Sequence, residues 1–417
     1  MAGNSRANGA IARRRGLERI RLLCQSGAGL EGIAGPLCNA IRDLAGAESA
    51  SIFLLNSNRE PTGFYHDCAP AEIKDIFSTR LEELFIRPDE FNMMTLTDQV
   101  DPSIGRLLVS GAIENFWKSN VYNHLCVPLG HRHMLDMRID VDGIGRALIC
   151  LWNGAAHPFR AYQAEALRPA QRLIAMAIKN PKDDAMWRHG SDAPAQFLTD
   201  LEGEALIAIS DDAERLLQDS HLLRQNLSMA LPLRRAPSFA RGLAAALRSG
   251  KPANLDIPVA NGRLNARASL MRARSPDFDG DCIAIALRLE VPLAVLAAER
   301  LMLLSLTPLQ REIALFAVRG KPRADCEAEF GVSGEALKKH LRAIYEATSV
   351  SRWGNLAGAL CGFSDQASQP RLAMLYALGN HAGGFDAAHE HPRISGQRIA
   401  RQIRRARARR PCRDERR

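Results

Sequence analysis

Between Leu306 and Leu360, the spacing of apolar side chains and capping residues admits little but a run of four short helices. Thr307 stands immediately before Pro308. A hydroxyl there accepts from an otherwise unpaired first-turn amide, and proline lacks the amide that would go unpaired. Gly320 ends this first helix, and a second fits roughly Arg323 to Phe330. The turn Gly331-Val332-Ser333 then opens a third helix with Ser333 as its cap.

In the third helix Leu337, Leu341 and Ile344 recur at spacings of four and three, so they share the face that packs inward. Lys338, Lys339 and Arg342 then point outward. A basic strip of this kind suits the major groove, where Lys and Arg reach guanine acceptors and neighbouring phosphates. A fourth helix, about Arg352 to Leu360, braces the third, and two helices joined by a tight glycine turn have the shape of a helix-turn-helix. At this point the segment resembles the LuxR-type DNA-binding domain of bacterial transcription regulators. The matches are Leu306-Thr307, Glu312, the Gly320 turn, Val332-Ser333, Leu337-Lys338, His340 and Val350, and they cover about 55 residues. On this resemblance the DNA-facing set is Ser333, Glu335, Lys338, Lys339, His340 and Arg342. Five positions depart from the family's pattern. Glu327 stands where a small alanine is usual, Cys326 for a larger aliphatic, Ala336 for a threonine, Ser349 for a glycine and Trp353 for an arginine.

At 417 residues the chain has room for two to three domains, and an apolar content of 46% is ample for several cores. It contains no apolar window long enough to span a bilayer. The opening MAGNSRANGAIARRR carries charge without the apolar centre of a signal peptide, so a cytoplasmic protein with no membrane partner is expected. Nine cysteines, scattered and without a CxxC pair, fit free thiols in a reducing compartment. The net charge of +9 suggests nucleic acid until it is located. Residues 393–417 hold eleven arginines against Asp414 and Glu415, a surplus equal to that of the whole chain, so the remainder is neutral. The arginine-rich end reads equally well as an arm that adds non-specific phosphate attraction and as a solvated end without a role.

The expected fold class is α+β sensory domains followed by an all-α four-helix helix-turn-helix domain. Residues 1–15 read as a flexible basic arm. From 16 to 180, Leu30, Ile33, Leu37, Ile41 and Leu44 fall at helical spacing, Ser49–Leu55 follows as a strand, and further strands are expected near Leu125–Leu129, Met134–Asp140 and Arg146–Asn153. The last two pair across Val141-Asp142-Gly143, and a helix from about Phe159 to Lys179 closes the unit. This order, and the end GRALICLWNGAAHPFRAYQAEALRPAQRLIAMAI, is similar to a GAF-type sensory domain. A polar stretch at 181–194 reads as a linker. In 195–291, Asp200 to Gly203 form a turn between strands and Ser210-Asp211 cap a helix. Alternation at Leu264, Ala266, Ala268, Leu270 and at Ile283, Ile285, Leu287, Leu289 marks half-buried antiparallel strands. This unit resembles a PAS domain. Residues 292–305 read as a connector helix that either carries a dimer seam or packs on the next domain. The helix-turn-helix domain takes 306–362, and 363–417 reads as a disordered tail.

Little else in the chain carries chemistry. His66-Asp67-Cys68 and His131-Arg132-His133 lack a second pair at ligand spacing, so a metal is not expected. Cys126 near His124 could be a reactive thiol, although a buried cysteine acting as a small hydrophobe is commoner. Trp117, Tyr122 and Trp152 could line a small-molecule cavity, but read more readily as core. Gly27-Ala28-Gly29 lacks the strand and spacing of a dinucleotide site, and there is no GxSxG, Walker loop or HExxH. Packing against a neighbouring helix suits His340 better than catalysis. The expected protein is therefore no enzyme and needs no cofactor. It is a transcription regulator, with double-stranded DNA as partner, a small-molecule effector of unknown identity, and a homodimeric state that offers two half-sites. The rival reading is a ligand-binding or protein-interaction regulator whose DNA-binding face is impaired by Glu327, Ala336 and Trp353.

Overall fold

A computed structural model describes residues 2–58, 61–67, 93–109, 112–181, 184–189, 195–220, 235–260, 262–272 and 280–362. The expected tail at 363–417 lies outside the described residues, as do Cys68 and Cys412.

The chain opens with helix α1 (Ala2–Cys24), followed by α2 (Ala34–Ala45). Strands β1 (Ser49–Leu55), β2 (Pro61–His66), β3 (His133–Val141) and β4 (Ile144–Asn153) form an antiparallel sheet in the order β2-β1-β4-β3, and α3 (Ala161–Lys179) returns across it. Both faces of this sheet are covered. Ala50, Ile52, Leu54, Leu135, Met137, Ala147, Ile149 and Leu151 face the helices, while Phe53, Leu55, Met134, Leu148, Cys150 and Trp152 meet Leu96, Leu107, Phe116 and Tyr122 on the other side. That is why Ser49–Leu55 reads as a continuous apolar run and not as an alternation. The hairpin between β3 and β4 turns at Asp142 and Gly143, both with positive φ (50° and 75°), the backbone that Asp-Gly favours in a two-residue hairpin.

Two expectations fail in this first part. Leu125–Leu129 is no strand: Tyr122–Cys126 is a wide π-helical turn and Val127–Leu129 a tight 3-10 turn, with Pro128 in the second and Gly130 closing it at φ 76°. Proline has no amide to give to a ladder, and a short apolar run alone does not separate strand from helix. Residues 2–15 are also not set apart as an arm, since α1 runs through them. Leu17–Cys24 is anchored by the buried Ile20, Leu22 and Leu23. Once those turns are fixed, Ala10 to Arg15 favour extending the helix, while Gly3, Asn4, Asn8 and Gly9 weaken it towards its start.

The second sheet contains β6 (Ala195–Thr199), β7 (Leu206–Ile209), β8 (Asn254–Val259), β9 (Gly262–Met271) and β10 (Cys282–Pro292) in the order β7-β6-β10-β9-β8, with the short β5 (Trp187–His189) paired to the end of β10. The alternation in sequence is the observed register: Ile283, Ile285, Leu287 and Leu289 stand opposite Leu270, Ala268, Ala266 and Leu264. Helices α4 (Asp211–Asp219), begun at Ser210, and α5 (Ser238–Arg248) cover one face through Ala213, Leu217, Ala240, Leu243 and Ala244.

From β10 the chain passes directly into α6 (Leu293–Leu303) and then α7 (Pro308–Val318), the short α8 (Cys326–Phe330), α9 (Gly334–Thr348) and the short α10 (Leu356–Cys361). These helices are not a separate body. α1 packs on α2 and α3 along one side and on α6 and α7 along another, so a single apolar cluster runs from β1 through α1 to α10. Polar contacts reinforce the junction. Arg311 pairs with Glu18 at 2.5 Å and donates to the carbonyls of Leu301 and Leu304, and Arg188 donates to the carbonyl of Cys361. The presumed linker takes part as well: Asp184 pairs with the buried Arg319 and lies 2.7 Å from Lys321 Nζ. Asp184, within the stretch expected to be a linker, and the helix within the expected connector 292–305 both take part in this packing.

Thr307 accepts from Gln310 N at 3.4 Å while Gln310 Oε1 accepts from Thr307 N at 2.8 Å, a complete capping box ahead of Pro308. At the other end of the unit, α9 stops at Ser349, whose φ of 56° is left-handed. A side chain there costs about 1–2 kcal/mol that glycine avoids. Ser349→Gly should therefore raise stability by about 0.5–1 kcal/mol in denaturant unfolding, with an unchanged m-value. A destabilised variant would show that the serine side chain makes a contact worth more than the strain. No helix among the described residues is long and apolar enough to cross a membrane.

Candidate nucleic-acid interface

The outer surface of α9 carries the residues singled out by sequence. Ser333 is its cap, with Oγ accepting from Ala336 N at 3.3 Å, so the hydroxyl holds the helix start. Leu337, Leu341 and Ile344 are buried against α7 and α10. At about 3.6 residues per turn, burying those three sends Glu335 and Lys339 directly outward, Lys338 and Arg342 to one flank, and His340 to the other. Accordingly Glu335, Lys338, Lys339 and Arg342 are exposed and His340 is half-buried. Lys338 Nζ lies 3.7 Å from Glu335 Oε2 in an exposed pair that contributes little to stability and leaves the ammonium free to exchange partners.

The flank of Lys338 and Arg342 borders an open depression of about 410 Å³. Leu341, Tyr345 and Val350 line it, with Arg323, Lys338, Arg342 and Ser351. Arg323 comes from the turn Arg323–Asp325 ahead of α8 and was not recognised from the sequence. Its only sequence signal is a cation just before the helix that leads into the turn.

The departures from the family pattern take up different positions. Cys326 is wholly buried beneath α7, and desolvation pushes its thiol up to about 11. Trp353 donates its indole N–H to the carbonyl of Lys321 at 2.8 Å and packs on the common apolar cluster, so it braces the helices. Glu327 is exposed beside the start of α9, where a Cβ on Gly334 would come within 2.9 Å of its Oε1. A carboxylate there suits the helix's positive end and competes with any other anion for it.

The other polar residues considered are held in packing. His131 is buried, with Nε2 3.2 Å from Ser49 Oγ, and its ring stacks on Trp152 at 5.4 Å and on His66 at 5.6 Å. Desolvation lowers its pKa to about 4 against the opposing pull of Glu48, which keeps it neutral at ordinary pH. His133 instead meets the edge of Trp117. Stacked rings do not point their nitrogens at one ion. Among the described residues no group of three or more His, Cys, Asp or Glu side chains is placed to hold a metal. Trp152 donates to Ser51 Oγ, Trp117 to the carbonyl of Arg132, and Arg132 to Tyr122 Oη, so all three aromatics are satisfied within or beside the core. Burial raises the Cys126 thiol far above its ordinary value, leaving little thiolate.

Comparison of the chain with protein-family models and with curated proteins gives no match in either case.

Proposed function

We propose that the chain is a DNA-binding transcription regulator whose C-terminal helices act as a LuxR-like helix-turn-helix output, preceded by GAF-like and PAS-like sensory units. The observation that carries the reading is the combination on α9 of a capped start, a fully buried apolar face and three exposed cations, Lys338, Lys339 and Arg342. A rigid helix with cations on its outer side can enter the major groove without rearrangement of its own core. A homodimer would place a second such helix one turn of DNA away, and a small molecule held by the forward units would act through differing affinity for two states of the output. This reading places the protein in the cytoplasm with its DNA.

The test is selection of duplexes from a random pool by the intact chain, compared with a variant carrying Lys338→Ala, Lys339→Ala and Arg342→Ala. Each side chain that reads a base edge should contribute about 1–3 kcal/mol, so the triple variant should lose selection altogether. Equal retention by both proteins would remove α9 from the interface. Glu327 at the start of α9 favours a second reading, a regulator that works through protein or ligand contacts with an impaired DNA face. In that case neither protein selects a sequence, and Glu327→Ala restores DNA retention.

A further inference from the structure

The depression beside α9 gathers cations from two separate elements, Arg323 ahead of α8 and Lys338 with Arg342 on α9. Neither Arg323 nor Arg342 belongs to an ion pair among the described residues, whereas several arginines of the helical junction do, among them Arg19 with Asp43 and Glu299, Arg311 with Glu18, and Arg319 with Asp184. The depression is not uniformly polar. Leu341, Tyr345 and Val350 line it together with the cations, so part of its walls is apolar. An inorganic anion would use the cations and gain nothing from those walls. A sugar-phosphate uses both, since a guanidinium pairs with the phosphate oxygens while the deoxyribose carbons lie on the apolar part.

We propose that this depression seats one phosphodiester and its sugar from a single DNA strand, with Arg323 and Arg342 holding the phosphate and Lys338 adding charge at the rim. The proposal rests on the DNA-binding reading above and divides the labour within it. Lys339, directly outward on α9, faces the bases. The Arg323 side anchors the backbone and sets how deeply α9 enters the groove. Contacts to phosphate fix register without carrying sequence information, whereas contacts to base edges carry it. Arg323 is thereby a DNA-binding residue that lies outside the motif on α9.

The experiment measures binding of the intact chain to a duplex selected from a random pool, and to a scrambled duplex of equal length, over a series of salt concentrations. Wild type is compared with Arg323→Ala, Arg323→Lys and Lys339→Ala, each first shown to melt like wild type. Arg323→Ala should weaken both duplexes by the same factor and flatten the logarithmic salt dependence by about 0.9, the share of one phosphate contact. Arg323→Lys, which keeps the charge and loses the fork, should keep the slope and lose only part of the affinity. Lys339→Ala should lower the ratio between the two duplexes. Unchanged binding in Arg323→Ala while Lys339→Ala loses selectivity would overturn the seat and leave the DNA-binding reading standing. A loss in Arg323→Ala confined to the selected duplex would also overturn it, by making Arg323 a reader of bases. If the intact chain retains neither duplex, the seat and the broader reading fall together.

Discussion

Leu301→Ala is expected to cost the intact chain about 2–5 kcal/mol and to loosen its first and last helices together. Leu301 lies on α6 with no exposed surface, in the apolar cluster shared by α1, α6, α7 and α10. Truncating it removes transfer free energy and leaves a cavity in a junction whose walls come from α1 and from the helices after the second sheet, so collapse around the hole would require helices on both sides to move. Leu303, two residues further on the same helix, is 80% exposed and supplies the control. Leu303→Ala should change stability by no more than about 0.5 kcal/mol. Denaturant unfolding reads the size of the effect, and hydrogen exchange reads its reach: amides in α1 and α7 should lose protection together in Leu301→Ala. Loss of protection in α7 alone would mean that the terminal helices unfold independently of the first sheet and its helices.

Asp184→Ala should cost on the order of 3 kcal/mol, because it leaves the buried guanidinium of Arg319 without a counter-charge. Arg319 donates to both carboxylate oxygens of Asp184, and Lys321 adds a third contact. Partial burial pushes the Asp184 carboxyl up, but the hydrogen bonds and charges of Arg319 and Lys321 outweigh it and hold the group below its ordinary value. A carboxyl whose folded pKa is depressed contributes its full stabilisation above the unfolded pKa of about 4 and loses it as pH falls through the folded one. The stability difference between wild type and Asp184→Ala should therefore be constant from neutral pH down to about 5 and shrink below about 4. Asp184→Asn keeps the acceptor without the charge and should fall between the two. A difference that persists unchanged in strong acid would show that the side chain acts through shape and not through charge.

What could be read from sequence was what is decided locally. The capping box at Thr307 and Gln310, the Asp-Gly hairpin at 142 and 143, the cap at Ser210 and the alternation in β9 and β10 each depend on residues within a few positions of one another. Leu337, Leu341 and Ile344 announce an inward face wherever the helix is placed. What could not be read depends on partners far along the chain. Nothing near Asp184 indicates that Arg319 will need it, so a polar stretch looked like a linker. Nothing in MAGNSRANGAIARRR shows that the segment after it is nucleated by packing on α6 and α7. Of the candidate interface, the face of α9 was legible because it is one helix. Arg323 was not, because the depression forms only when the turn ahead of α8 and the loop after α9 meet the same helix.

Glu18 and Arg311 touch although 293 residues separate them, so the helix that carries Glu18 is made well before its partner. At about 5–20 residues per second, a ribosome delivers Arg311 some 15–60 s after Glu18. Throughout that interval the side of α1 destined for α6 and α7 has no native partner, and its apolar surface is available to chaperones or to another nascent chain. A message cut short before α6 would yield a product whose first sheet is complete yet whose first helix stays half clothed. Coupling α1 to helices that follow the second sheet thus makes burial of its outer side wait until both sheets have been synthesised.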